Sequence, residues 1–139
     1  MAVTTTPAYL QTIINKVVTI VNADSTNLKT VYVAGANGSR FTSLLVTSDD
    51  SSNRDLKIYW TISGTDYLLG IVQIPLTAGT VNTVPTVNLF NSTNFPGLSV
   101  DSNGNRYMDL ASGTTLKVAA GSAVTTAKTI TVAGYGADL

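Results

Sequence analysis

The side chains that could carry chemistry in this chain are of few types. It contains no His and no Cys, and every acidic residue is Asp. The commonest general acid/base and metal ligand, the thiol nucleophile and one of the two carboxylate types are therefore missing. Asp49 and Asp50 are adjacent, but neighbours on a strand point to opposite faces, and in a loop both are usually solvated. We therefore expect no enzyme activity, no cofactor and no metal.

A second group of side-chain oxygens has the spacing of part of a calcium loop. Oxygen-bearing residues stand at its first, third, fifth and ninth positions: Asp101, Asn103, Asn105 and Asp109. The glycine of this stretch is fourth instead of sixth, and Ser112 occupies the twelfth position, where such a loop has a bidentate Glu. The Asn-Gly-Asn sequence instead favours a hairpin turn.

Two tyrosines could form a binding surface. We expect Tyr59 and Tyr67 to flank a central hairpin on the face opposite Trp60. An exposed aromatic pair of this kind could stack on a sugar or contact another protein. Cross-strand pairing that only stabilises the sheet is an equally good interpretation.

The elements that position these residues are strands. From Asp55 to Leu76 the sequence DLKIYWTISGTDYLLGIVQIPL alternates apolar and polar residues on either side of a Ser-Gly-Thr-Asp turn, which predicts a β-hairpin. Trp60 should be its central core residue. The predicted core positions of the hairpin are Leu56, Ile58, Trp60, Ile62, Val72 and Ile74.

The rest of the chain repeats this pattern of short strands and polar turns. Further strands are predicted over residues 17–21, 30–34, 40–48, 81–90, 106–110, 115–119 and 129–133. The chain is thus all-β, and we expect a single-domain antiparallel β-sandwich, a jelly roll of about eight strands. Tight hairpins alone leave an immunoglobulin-like sandwich open.

Residues 1–10 should form an extended N-terminal arm, and residues 11–139 the jelly-roll domain. The arm is rich in Thr and broken by a proline, so it could lie on a partner. Strand 40–48 has apolar residues on both faces, which suggests that one face covers something outside its own sheet. The predicted interface residues in these two segments are Thr4, Thr5, Thr6, Pro7, Tyr9, Phe41 and Leu45.

Charge and hydropathy limit the partners. Eight Lys and Arg balance eight acidic residues, and the basic residues are scattered singly, which is a poor footprint for nucleic acid. The N-terminus lacks a basic, apolar leader, and no stretch is long enough to span a bilayer. We therefore expect synthesis in the host cytoplasm and no membrane or direct nucleic-acid partner.

The segment from Asn15 to Pro75 carries a resemblance to a known family. With TNLKTVYVAGANGSRFTSLLVTSDDSSNRDLKIYW followed by SGTDYLLG, it resembles the small head decoration, or cement, proteins of tailed bacteriophages. The resemblance implies a jelly roll on the outer surface of the virion's capsid, bound across major capsid protein subunits, often as a homodimer or homotrimer.

Two classes of function follow as hypotheses. The first is a structural virion protein that decorates and cements a phage capsid; a tail or fibre subunit of the same virus would differ from it only in location. The second is a carbohydrate-binding jelly-roll module that uses Tyr59 and Tyr67 as stacking residues.

Overall fold

A computed structural model describes residues 11–139 of the chain. Within this range a single turn of 3-10 helix, Asn22–Asp24, follows the first strand. The ten strands are β1 (Thr12–Val21), β2 (Lys29–Val33), β3 (Ser39–Ser48), β4 (Arg54–Ile62), β5 (Thr65–Ile74), β6 (Val87–Asn88), β7 (Ser99–Val100), β8 (Arg106–Leu110), β9 (Thr115–Ala120) and β10 (Thr129–Asp138).

The strands form two antiparallel sheets packed as a sandwich. Sheet one has the order β1-β10-β3-β8-β7, with the short β6 also paired to β3, and sheet two has the order β2-β9-β4-β5. The chain passes repeatedly from one sheet to the other, so strands from its two halves become neighbours. The eight main strands, paired as β1-β10-β3-β8 and β2-β9-β4-β5, have the arrangement of a jelly roll, which confirms the predicted fold class.

The core lies between the two sheets and follows the period-two pattern of the strands. Four of the six core positions predicted in the hairpin are buried: Leu56, Ile58, Val72 and Ile74. They pack with Phe41 and Leu44 of β3 and with apolar residues of β9 and β10. Alternation along β4 and β5 therefore predicted which face of the hairpin is inside.

Ile62 was wrongly predicted as a core residue because the tip of the hairpin extends beyond the sandwich, and Trp60 packs against the edge of the core instead of at its centre. Ile62 is 43% exposed, since β9 begins opposite Thr61 and leaves Ile62 without a neighbour on that side. Trp60 is only partly buried, at the mouth of an open apolar hollow that is also lined by Phe95 and Leu98. Its indole N–H lies 3.4 Å from the Met108 sulfur.

The predicted strands differ most from the structure in two places. The first strand begins at Thr12 and pairs with β10 along its whole length. The segment 81–90, predicted as one strand, contains only the two residues of β6 and a bridge between Val81 and Val84. Pro85 lies between them, and since proline has no N–H for a ladder, pairing is interrupted there.

Register shifts occur at three places in the ladders, at Val31 in β2 and at two β-bulges that change the faces of predicted site residues. Tyr135 pairs with Ser43 and Gly136 with Phe41, so Thr42 is an extra residue in β3. In the hairpin, Leu69 is the extra residue of β5 between Gly70 and Leu68. Each extra residue shifts the alternation by one position, so residues beyond it point to the opposite face from the one that simple alternation predicts.

Candidate docking surface

Part of the outer face of sheet one, on β1, β10 and the second half of β3, is a continuous surface without charge. Residues directly opposite one another in antiparallel strands share a face, and three successive rows across β1, β10 and β3 point away from the core. We call these residues the uncharged face: Val17, Ala133 and Leu45 in the first row, Thr19, Thr131 and Thr47 in the second, and Val21 and Thr129 in the third. It consists only of Val, Ala, Leu and Thr. Val17, at its border, is 65% exposed.

The outer face of sheet two has a different composition. Its rows contain Asp55, Lys57, Asp66 and Lys117, and the Lys117 ammonium lies 3.4 Å from the Asp66 carboxylate. Ile71 is 52% exposed there, opposite Lys57. Charged residues are depleted from the centres of protein–protein interfaces. The part of sheet one's outer face on β1, β10 and the second half of β3 therefore has the composition of a docking surface, whereas the β8 side of the same face carries the Arg40–Asp109 ion pair.

The sequence of β1 contains a signal for this surface. In β1, Ile14 and Ile20 are buried while Val17 and Val21 point outward, so apolar residues occur on both faces of the strand. An outermost strand that is covered on one side only normally carries polar residues on the other. Apolar residues on both faces of β1 therefore indicate that its outer face contacts a partner.

The predicted interface residues of β3 have different positions. Phe41 was assigned wrongly: it is fully buried, packed edge-on against Tyr32 with a ring separation of 5.6 Å. The bulge at Thr42 turns Phe41 inward. Phe41 before the bulge and Leu44 and Val46 after it therefore all face the core, although simple alternation places Phe41 on the opposite face from the other two. Leu45 lies on the uncharged face and is partly exposed.

The two hairpin tyrosines do not form a common platform. Tyr67 pairs with Trp60 and shares its face, whereas Tyr59 pairs with Leu68 on the opposite face. The expectation that both oppose Trp60 was wrong because the extra Leu69 reverses the alternation before Tyr67. The predicted arm residues, Thr4, Thr5, Thr6, Pro7 and Tyr9, lie outside the described residues.

The adjacent carboxylates Asp49 and Asp50 have distinct roles. Asp50 is buried, contrary to the expectation that both are solvated. Its Oδ2 accepts hydrogen bonds from the Arg54 Nε at 2.8 Å and the Thr125 amide at 3.0 Å. Its Oδ1 accepts from the Thr125 hydroxyl at 2.7 Å and the Ser52 amide at 3.0 Å. Asp49 instead accepts from the Thr129 amide at 2.6 Å.

This network holds loops together at one end of the sandwich. Burial alone would raise the pKa of Asp50, but the hydrogen bonds from Thr125, Arg54 and Ser52 outweigh it and hold that pKa well below its usual value. The carbonyl of Asp50 also accepts from the Thr77 amide at 3.1 Å. A carboxylate so fully engaged is a poor general base, and its position indicates a structural role.

The stretch compared with a calcium loop forms the hairpin turn between β7 and β8. The Asp101 Oδ1 accepts from the amides of Asn103 and Asn105, both at 2.9 Å. Asp109 lies on β8, where it forms a two-point ion pair with Arg40, the shorter contact being 2.7 Å. Across residues 11–139, no three metal-binding side chains come together.

Comparison with known proteins adds no relative. No protein-family model, curated protein or solved structure matches the chain. In the part of the chain that is described, no helix has both the length and the apolar character needed to cross a membrane.

Proposed function

We propose that the chain is a structural virion protein that decorates and cements the outer surface of a phage capsid, and that it docks across major capsid protein subunits through the uncharged face. The observation that carries this proposal is the contrast between the uncharged face and the rest of the sandwich's outer surface. Lys117 and Asp66 pair on sheet two and Arg40 and Asp109 pair at the β8 side of sheet one, whereas the uncharged face presents three rows of Val, Ala, Leu and Thr.

The physical chemistry of the uncharged face suits attachment to a large, flat partner. Its strands are held by the sheet, so few backbone degrees of freedom are lost on binding. Removing the exposed parts of Val17 and Val21, which are 65% and 38% exposed, from water yields about 1 to 2 kcal/mol and about 0.5 to 1 kcal/mol, before the costs of association. Affinity from one such surface is modest, and a homodimer or homotrimer that contacts the shell at several points would increase it through linkage.

The chain's lack of net charge is compatible with dense packing on a shell. With eight charges of each sign, neighbouring copies repel one another little. The proposal assigns the chain no reaction, in keeping with the absence of His and Cys from its sequence. The resemblance of residues Asn15 to Pro75 to cement proteins supports the same location.

We extend the proposal to the N-terminal arm. The Gln11 amide donates to the Asp138 carbonyl at 2.8 Å, so the described part of the chain begins at the β1–β10 pair that also carries much of the uncharged face. Extended peptides bind partners by adding a strand or lying in a groove. Deleting residues 1–10 should weaken binding to capsids while leaving the thermal midpoint of the domain unchanged.

A pair of matched substitutions tests the docking surface. Val17→Asp places a charge on the uncharged face, and Ile71→Asp places one on a β-branched position of the other sheet that is 52% exposed, against 65% for Val17. With purified heads lacking the protein, we expect Val17→Asp to lower affinity at least about tenfold, since an unpaired charge would be desolvated on docking. Ile71→Asp should bind like the unmodified chain.

The opposite pattern, in which only Ile71→Asp loses affinity, would place the interface on sheet two. Failure of the unmodified protein to bind heads at all would refute the capsid proposal, and binding to isolated tails alone would indicate a tail or fibre subunit. Thermal unfolding of each variant controls for misfolding.

A further inference from the structure

A polar cleft adjoins the uncharged face on the outer side of β3. Its volume is about 540 Å³, within the range of small-ligand sites. One wall is the segment 88–92 after β6, and the other is the β7–β8 hairpin turn. Side chains that line it include Asn88, Asn91, Asp101, Asn105, Arg106 and Tyr135.

The walls of the cleft are fixed by hydrogen bonds that do not use all of their polar groups. The Asn91 Oδ1 accepts from the Thr93 and Asn94 amides at 3.0 and 2.8 Å, and the Asp101 Oδ1 closes the opposite turn. One Arg106 nitrogen donates to the Leu98 carbonyl at 2.8 Å. Within residues 11–139, the second Asp101 oxygen, the other Arg106 nitrogens and the Asn88 amide nitrogen make no hydrogen bond of their own. The cleft therefore presents donors and an acceptor on walls that need little reorganisation to bind a ligand.

We propose that this cleft binds a neutral saccharide. The Tyr135 side chain is 47% exposed at its rim and offers an aromatic face to the C–H face of a sugar ring. Neighbouring hydroxyl groups of a sugar both donate and accept hydrogen bonds. They can donate to the Asp101 carboxylate and accept from the Arg106 guanidinium and the Asn88 amide. A phosphorylated ligand would meet the Asp101 carboxylate, and a divalent cation would meet Arg106, so the charge balance favours an uncharged polyhydroxyl compound.

This site adjoins the proposed capsid-attachment surface but is lined by none of the residues of the uncharged face. It is also distinct from the Tyr59 and Tyr67 pair, whose rings lie on opposite faces of sheet two. A matched pair of tyrosine variants separates the possibilities, because Tyr67 is 52% exposed on β5 of sheet two and does not line the cleft.

The experiment uses the free full-length protein on an array of neutral oligosaccharides, followed by calorimetric titration with the best binder and, separately, with inorganic phosphate. We expect a neutral oligosaccharide to bind, and Tyr135→Ala to weaken that binding at least about tenfold while Tyr67→Ala leaves it unchanged. Asp101→Asn keeps the turn-closing oxygen and removes the anionic acceptor, so it too should weaken binding about tenfold.

The absence of any glycan binder would overturn the proposal. So would binding that survives Tyr135→Ala, or phosphate binding in place of saccharide binding. None of these outcomes bears on attachment to heads, which the Val17→Asp experiment measures separately.

Discussion

Replacing Asp50 by Asn should destabilise the domain far more than any other change of similar size in its loops. The two carboxylate oxygens of Asp50 each accept two hydrogen bonds, from Ser52, Arg54 and Thr125. In Asp50→Asn, the side-chain NH2 group replaces one of the two oxygens. At either position it faces a backbone N–H, and because the NH2 group cannot accept a hydrogen bond, that N–H loses its partner. The substitution also leaves the Arg54 guanidinium, whose side chain is only 17% exposed, without its anionic partner.

The magnitude follows from the burial of the pair. Removing one partner of a buried ion pair costs about 3 to 5 kcal/mol. Because Arg54 keeps hydrogen bonds to the hydroxyls of Ser122 and Thr125, we expect the lower end, about 3 kcal/mol. In a domain of this size that corresponds to a fall in the thermal midpoint of about 10 °C. The matched control is Asp55→Asn, an exposed carboxylate nearby, which should change stability by less than about 0.5 kcal/mol.

The effect should depend on pH in a defined direction. Because the pKa of Asp50 is lower in the folded than in the unfolded chain, its ionised form stabilises the fold above the unfolded value of about 3.9. That stabilisation is lost as the pH falls below this value towards the lower folded pKa. Urea unfolding at pH 7 and at about pH 2.5 should therefore show a smaller gap between the unmodified chain and Asp50→Asn at the lower pH. An equal gap at both values, or an Asp50→Asn variant as stable as Asp55→Asn, would refute this account of the network.

Two further predictions concern the sheets. A Cβ at Gly136 would lie 1.9 Å from the Arg40 carbonyl oxygen beside the β3 bulge, so Gly136→Ala should cost about 3 kcal/mol or more in urea unfolding, while Gly97→Ala, which meets nothing within 4 Å, should be near neutral. Equal stability of these two alanine variants would contradict the close packing of β10 on the bulge. Trp60→Ala should cost about 2 to 3 kcal/mol, less than the 3 to 5 kcal/mol typical of a fully buried aromatic residue, because Trp60 is only partly covered. A larger loss would mean that the hollow around Trp60 is closed in solution.

The fold was predictable because most strands obey a simple alternation. Leu56, Ile58, Val72 and Ile74 were identified from period two alone, and turns rich in Gly, Asn and Asp separated the strands. Alternation cannot reveal where an extra residue is inserted. The bulge at Thr42 therefore misplaced Phe41.

The candidate sites were less predictable because their parts are far apart in sequence. Thr125, which donates to Asp50, is 75 residues away from it, and nothing local indicates that the two meet. The saccharide cleft joins four segments that are far apart in sequence, and the local sequence of its Asp101 turn indicates only a hairpin. The uncharged face needed the pairing of β1 with β10 before Val17 and Ala133 could be recognised as neighbours.

Electron microscopy of virus particles from the source of this chain tests the central proposal most directly. We predict ordered density of the size of this jelly roll on the outside of the head, seated over junctions between major capsid protein subunits, with Val17 and the rest of the uncharged face turned towards the shell or a sister copy. Heads without such density, or density in which the charged face of sheet two meets the shell while the uncharged face is open to solvent, would contradict it.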